Sequence, residues 1–315
     1  MVKLKLALPK GRMYDEVAAV LAEAGLRLTA NGRNYRPLAN DPEIEVKVLK
    51  PQNIPKLVEL GSQDLAFSGY DWVAEQDARV VELLDLGLDP VRIVAAVPKG
   101  KKEAINARGG RGVESGPGPG RTQVLGSQGR GSRSALSSFG PLRVASEYER
   151  LTRQFLEKKG IDYVFIKSYG ATEVFVPEDA DMIVDNMASG QTLRANGLEV
   201  FEELLPSSTR LIANVQAMQD PEKKRKIEDL TMVIRSVLDG RAKLLVEMNV
   251  SEENLERLIP ILPCMKSPTI AKLYGGGGYA LKAAVDKDRV RELIPRLKEK
   301  GASDILVFGL KKVIA

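Results

Sequence analysis

From Lys3 to Leu238 short apolar runs alternate with helical stretches, and one long aperiodic segment, residues 101–141, interrupts them. That combination limits the fold more than any other feature. Short apolar runs bounded by Gly and Pro read as strands, and strands alternating with helices predict an α/β chain with a largely parallel sheet. Lys3–Leu8 predicts a first strand, Pro9–Arg12 a turn, and Met13–Ala24 a helix stopped by Gly25. Strands are predicted over Ile44–Leu49, Asp64–Ser68 and Arg92–Val97, with helices between them and Leu83–Leu88 as a turn-bounded apolar piece. Leu142–Ser146, Tyr163–Lys167 and Arg210–Val215 continue the series, and Pro221–Leu238 is a long charged helix.

The interruption has its own chemistry. Lys101–Arg143 holds ten glycines and one aromatic, Phe139, with eight Lys or Arg against two acidic residues. Such a stretch cannot bury enough apolar surface to offset the entropy of ordering, so residues 101–141 are read as disordered. An RNA-binding Arg-Gly tract and a local change of reading frame are the other readings open; the lack of stacking aromatics counts against the first. The segment's basic surplus accounts for the chain's net charge of +5. The remainder is nearly balanced, so no nucleic-acid partner is expected.

The chain has no histidine. This removes Ser-His and Cys-His catalysis, histidine general bases and most transition-metal sites. Chemistry must rest on carboxylates, Lys/Arg, hydroxyls, backbone amides and a hard cation. One cysteine, Cys264, excludes an intrachain disulfide and reads as a small core residue. No apolar run is long enough to span a membrane, and MVKLKLALPKGR lacks the apolar core of an export signal. A cytoplasmic protein with no membrane partner is expected.

The stretch DMIVDNMASGQTLRANGL, Asp181–Leu198, reads as strand, loop and helix, the helix running from about Thr192 to about Leu205. Gly190 can take a positive φ, and the first amides of a helix form an anion site. Asp185 lies at the carboxyl end of the strand beside it. A phosphate cradle next to a carboxylate suits a phosphorylated sugar; an ordinary strand–turn–helix suits the residues equally well. Lys10 and Arg12 sit at another strand's carboxyl end, where open α/β sheets bind ligands. Asp71 and Glu75 share a helical face. From Lys243 the order becomes β-α-β-β-α-β, a ferredoxin-like split unit, with Ser251 and Asp286 as helix caps.

Several motifs coincide: ALPKGRM at 7–13, KPQNIPKLVELGSQDLAFSGYDWVAE at 50–75, RVASEYERLT at 143–152, GATEVFVPEDADMIVDNMASGQTLRANGL at 170–198 and SSTRLIAN at 207–214. Together with the tail they resemble the long form of ATP phosphoribosyltransferase, the first enzyme of histidine biosynthesis. The resemblance implies a two-lobed catalytic unit like type II periplasmic binding proteins, plus a ferredoxin-like α+β (ACT-like) regulatory domain. The boundaries expected are 1–97 and 188–238 for lobe I, 98–187 for lobe II and 239–315 for the tail.

The implied reaction joins N1 of ATP to C1 of phosphoribosyl pyrophosphate, giving 1-(5-phosphoribosyl)-ATP and pyrophosphate, with Mg2+ as cofactor. Histidine is the implied feedback inhibitor, and dimers or hexamers are the implied assemblies. Carried over residue by residue, Asp185 faces the ribose hydroxyls and a magnesium ion, and Glu173 assists it in catalysis. Ala188, Ser189, Gly190, Gln191 and Thr192 hold the 5′-phosphate. Lys10, Arg12, Lys50, Asp71, Glu147 and Tyr148 face ATP or phosphate. Asn249, Ser267, Thr269 and Ala302 face the effector histidine. Lys50 and Asn53 stand where the family usually has Arg and Asp, and lysine does not reproduce a bidentate guanidinium contact. Three rival classes share parts of this pattern: a two-lobed ligand-binding protein, a catalytically inactive regulatory partner, and a phosphoribosyltransferase for another base. The last usually shows two adjacent acids before its phosphate loop, whereas Asp181 and Asp185 are separated.

Overall fold

The computed structural model describes residues 3–29, 35–108, 140–263, 265 and 267–314. The expectations for Cys264 and for 109–139 fall outside these residues. The described chain forms two compact units, one of Met1–Ser68, Arg79–Leu88 and Arg210–Ala315, the other of Gly69–Ala78 and Asp89–Thr209.

The first unit contains a seven-stranded sheet. Its order is Leu28–Thr29, Leu38–Ala39, Ile44–Leu49, Leu4–Pro9, Leu65–Gly69, Thr209–Asn214, Val80–Asp85. Leu4–Pro9 lies parallel between Ile44–Leu49 and Leu65–Gly69. A parallel strand covered on both faces reads as a continuous apolar run, and Leu6, Ala7 and Leu8 are all buried. Leu4, Leu6 and Leu8 share a core with Val17, Val20 and Leu21 of the helix Arg12–Ala24. The long helix Pro221–Ala242 adds Ile227, Ile234 and Val237 to that core. Asp220 caps it by accepting from the Glu222 and Lys223 amides. Leu83–Leu88, expected as a turn-bounded apolar piece, begins inside the strand Val80–Asp85, which pairs antiparallel with Thr209–Asn214.

The second unit holds a five-stranded sheet in the order Leu198–Ser207, Val91–Pro98, Met182–Met187, Leu142–Ser146, Tyr163–Lys167. Three expectations change here. The helix after Gly190 spans only Gln191–Ala195, and Leu198–Ser207 is a strand. Two register shifts in that strand, between Val200 and Glu202 and between Glu203 and Leu205, break its two-residue alternation and mimic a helical spacing. The expected lobe boundaries also move. Val91–Pro98 and Leu198–Ser207 pair with each other and join the second sheet, not the first. Such pairing joins segments about 100 residues apart, which no local pattern records. Finally, Lys102–Asn106, at the start of the segment expected to be disordered, is a short helix that buries Ile105 in the second core.

The tail is a ferredoxin-like unit, as its element order predicted. Its antiparallel sheet runs Thr269–Lys272, Tyr279–Asp286, Lys243–Val250, Ser303–Gly309. Val246, Met248, Val250, Leu281, Ala283 and Val285 pack against Leu258, Val290, Leu293 and Leu297 of the two helices. Ser251 stands at the expected cap position, but its hydroxyl accepts from the Asn254 side chain (3.0 Å) rather than from the helix. The Asp286 carboxylate likewise turns to Lys243. Among the described residues no helix is long and apolar enough to cross a membrane.

Candidate active site

Three parallel strands of the second sheet end level with one another. Ser146 pairs with Val184 on one side and Lys167 on the other. The next residues, Asp185, Glu147 and Ser168, therefore emerge together at the carboxyl edge, the usual position of ligand sites in α/β sheets. Ser146 Oγ donates to the Val184 carbonyl (2.6 Å) and accepts from the Tyr148 amide (2.8 Å), fixing the two strand ends together.

Asp185 is the half-buried carboxylate of this edge. Its Oδ1 accepts from the Asn186 backbone amide (2.7 Å) and the Asn186 side-chain amide (3.1 Å). Burial pushes its carboxyl up to about 6; the Asn186 and Thr172 donors oppose the rise, and the Glu147 and Glu173 charges add to it. Thr172 is buried and bonded to Ser168 (3.0 Å). It belongs to the short turn Thr172–Phe175, which places the Glu173 charge where it acts on Asp185. Among the described residues no three carboxylates converge as a ready-made metal cage.

The loop after Asp185 is built around Gly190. Its φ of 73° is left-handed, and a Cβ there would meet Met187 Sδ at 3.1 Å and Arg194 Nη1 at 3.3 Å. Ala188, Ser189, Gln191 and Thr192 are exposed around it. The turn hands the chain to Gln191–Ala195, whose first amides have no intrahelical acceptor. Arg194 curls back and donates to the Ser189 carbonyl (3.1 Å), placing a cation against the loop. The sequence reading passed over Arg194; its signal was a basic residue one turn into a helix that opens at a Gly-containing loop.

Asp71 and Tyr148, both expected to face ATP or phosphate, are joined to each other. Both are buried, at 5% and 1% exposure, and Tyr148 Oη donates to Asp71 Oδ2 at 2.8 Å. Ser207 Oγ donates to Asp71 Oδ1 (2.7 Å) and accepts from the Asp71 amide (2.9 Å). Burial raises the Asp71 carboxyl above its ordinary value, and the same cause raises the Tyr148 phenol. The Tyr148 ring stacks on Trp72 at 4.6 Å. These groups meet each other in the interior, and Tyr148 Oη also accepts from the Asn186 side chain next to Asp185 (3.4 Å). Glu75 accepts from the Arg150 and Leu151 amides and so serves the start of the helix Glu149–Lys159.

Asp181 lies at the opposite end of its strand from Asp185. It is held by Arg143 through Nη2 (2.9 Å) and the backbone amide (3.0 Å), a structural role.

In the first unit, Lys10 and Lys50 follow paired strand ends. Pro9 is opposite Leu49, and the Lys10 amide donates to the Leu49 carbonyl (2.7 Å). Lys10 Nζ also donates to Tyr35 Oη (3.0 Å), which lowers the phenol's pKa. Arg12 begins the helix Arg12–Ala24 beside them.

In the tail, Asn249 and Ser303 are cross-strand partners, which brings Ala302 close to Asn249. Asn249 Nδ2 donates to Asp304 Oδ2 (2.9 Å), and Ala302 is buried in the domain core. Thr269 lies on the edge strand, two strands from Asn249 or roughly 10 Å away. Ser267 precedes it and is exposed.

Comparison with known proteins gives one consistent result. Residues 50–236 match the family described as HisG, ATP phosphoribosyltransferase, and residues 240–312 match its C-terminal domain. The chain is 36% identical over 318 residues to an ATP phosphoribosyltransferase of Pelotomaculum thermopropionicum, covering 99% of this chain and 100% of that one. A relative of the same name from Desulforudis audaxviator is 35% identical with the same coverage. The fold is similar to a chain of the ATP phosphoribosyl transferase (HisG:HisZ) complex from Thermotoga maritima. The TM-score is 0.56 at 24% identity, over 73% of this chain and 98% of that one.

Proposed function

The chain belongs to the ATP phosphoribosyltransferase family, and from that premise we propose how its own residues divide the work of the reaction. The enzyme catalyses the first step of histidine biosynthesis, a pentosyl transfer from phosphoribosyl pyrophosphate to ATP. The N1–C1 bond forms as the bond from C1 to pyrophosphate breaks. Adenine N1 carries its own lone pair and needs no base. The lack of histidine therefore costs the reaction nothing. What the protein must supply is position and charge, and positioning alone is worth roughly 7–11 kcal/mol.

One observation carries the assignment: the carboxylate of Asp185 and the Gly190 loop lie within one short stretch, strand end, loop and helix start, at a sheet's carboxyl edge. Asp185 would hold the ribose hydroxyls and oppose positive charge developing on the sugar. The amides of Ser189, Gly190, Gln191 and Thr192, with Ala188 leading in, would hold the 5′-phosphate, and Arg194 adds positive charge. Glu173 and Glu147 shape the carboxylate's surroundings. Lys10, Arg12 and Lys50 are assigned to ATP phosphates, with Lys50 giving a single-point contact where an arginine would give two.

The family's metal is assigned as Mg2+. Asp185, with Glu147 and Glu173 near it, fits an ion bound through one or two carboxylates and otherwise by substrate oxygens. When bound, magnesium would neutralise the leaving pyrophosphate. Histidine inhibition is assigned to the tail, with Asn249 and Ala302 nearest one another and Ser267 and Thr269 farther off. Oligomers, dimers or hexamers, and a cytoplasmic location where both substrates are made complete the proposal.

The test is direct. The purified chain is mixed with ATP, phosphoribosyl pyrophosphate and Mg2+, and the ultraviolet absorbance of phosphoribosyl-ATP is followed with and without chelator, then with histidine. Product that requires the cation and falls with histidine is expected. No product rejects the catalytic reading. Product insensitive to histidine rejects the effector assignment.

A further inference from the structure

A continuous hydrogen-bonded chain links the site carboxylate to a buried one. Asn186 Nδ2 donates to Asp185 Oδ1 (3.1 Å) and to Tyr148 Oη (3.4 Å). Tyr148 Oη donates in turn to Asp71 Oδ2 (2.8 Å). Asp71 is fastened by Ser207 (2.7 Å), which comes from 136 residues away.

The chain has a fixed direction. A phenol has one proton, and Tyr148 spends it on the Asp71 carboxylate, which can only accept. Its oxygen must therefore accept from Asn186. A side-chain amide nitrogen has two protons, and these two acceptors use both. Reversing the Asn186 amide would set its carbonyl oxygen against the Asp185 carboxylate and against an oxygen with no proton left to give. The buried end thus sets the orientation of the exposed end.

We propose that Asn186 is a positioning residue for Asp185, oriented by the Tyr148 hydroxyl, which buried Asp71 holds in place. The inference rests on the reading of Asp185 as the ribose carboxylate and adds residues that reading does not contain. Two donors from Asn186 converge on Oδ1, one from the backbone and one from the side chain. Together they fix which way the carboxylate faces. The other groups acting on it are Thr172, Glu147 and Glu173 from the neighbouring turn and strand, and Tyr148.

The experiment uses the full-length enzyme and measures kcat and KM for phosphoribosyl pyrophosphate separately, with the urea midpoint of each variant. The variants are Asn186→Ala, Tyr148→Phe, the double variant and Asp185→Asn. Asn186→Ala changes an exposed side chain and keeps the fold; Tyr148→Phe keeps the ring on Trp72 and removes only the hydroxyl. Each single variant is expected to lose about tenfold in kcat with KM changed by less than about twofold, the split expected when an aligning contact rather than a binding one is lost. The double variant is expected to lose no more than the worse single one, because both act through one contact. Wild-type kcat and KM for Asn186→Ala, with Asp185→Asn inactive, overturn the positioning role and leave the site assignment standing. Near-normal activity of Asp185→Asn overturns the site assignment itself. If Tyr148→Phe loses activity by unfolding, Asn186→Ala alone decides.

Discussion

Tyr148 and Asp71, 77 residues apart in sequence, meet in the interior through a single 2.8 Å hydrogen bond. Each would be a liability alone, because a buried phenol and a buried carboxylate both need a partner. Asp71→Ala removes the acceptor of both Tyr148 and Ser207. It is expected to destabilise the protein by about 2–4 kcal/mol, read as a lower urea midpoint for the transition followed by Trp72 fluorescence. An unchanged midpoint would show that the pair is not structural.

Gly69 makes that pair possible. A Cβ at residue 69 would lie 2.3 Å from Asp71 Oδ1, with ordinary backbone dihedrals and no other obstacle. Gly69→Ala should therefore act as an overpacking change of about 1–3 kcal/mol, and Asp71→Ala should relieve it. A thermodynamic cycle over the two single variants and the double one measures the coupling. Strict additivity would contradict the contact.

Asp185 trades stability for function. Its carboxyl is pushed up to about 6, above the value it takes in the unfolded chain. The folded state therefore disfavours the charged form. The cost is absent at pH values below the ordinary carboxylate range, grows as pH rises, and is complete above about pH 6. Asp185→Asn is expected to stabilise the protein at pH 7 by up to about 3 kcal/mol while removing nearly all turnover. The gain should vanish by about pH 4. Denaturant titrations at several pH values check the sign; a variant less stable at neutral pH would contradict it.

The two aspartates of one strand should separate cleanly. Asp185→Ala should abolish phosphoribosyl-ATP formation with the circular dichroism spectrum intact. Asp181→Ala should keep turnover within about twofold and lower stability by about 1 kcal/mol, since its pair with Arg143 is partly exposed. Equal losses of turnover would place Asp181 in the site.

Local pattern carried the sequence reading well where elements are made by their own residues. The strands Leu4–Pro9, Ile44–Leu49 and Leu142–Ser146, the helix at Pro221 and the whole β-α-β-β-α-β tail follow from apolar spacing and from where Gly and Pro stand. The Asp185–Thr192 stretch was legible for the same reason, because carboxylate, glycine and helix start are contiguous. The pattern misled at Leu198–Ser207, where two bulges gave a strand the spacing of a helix.

The sequence by itself determined the α/β class, the chemistry available without histidine, and the position of the Gly190 loop directly after Asp185. Only the tertiary structure decided which strands share a sheet, and so where one unit ends and the other begins. It alone decided that Asp71 and Tyr148 turn inward to each other and that Asn186 joins them to Asp185. The physical reason is that burial and hydrogen-bond partnership are set by packing between segments distant in the chain. An aspartate followed by an apolar residue looks the same in sequence whether its carboxylate meets water, a substrate or the hydroxyl of a tyrosine 77 residues away.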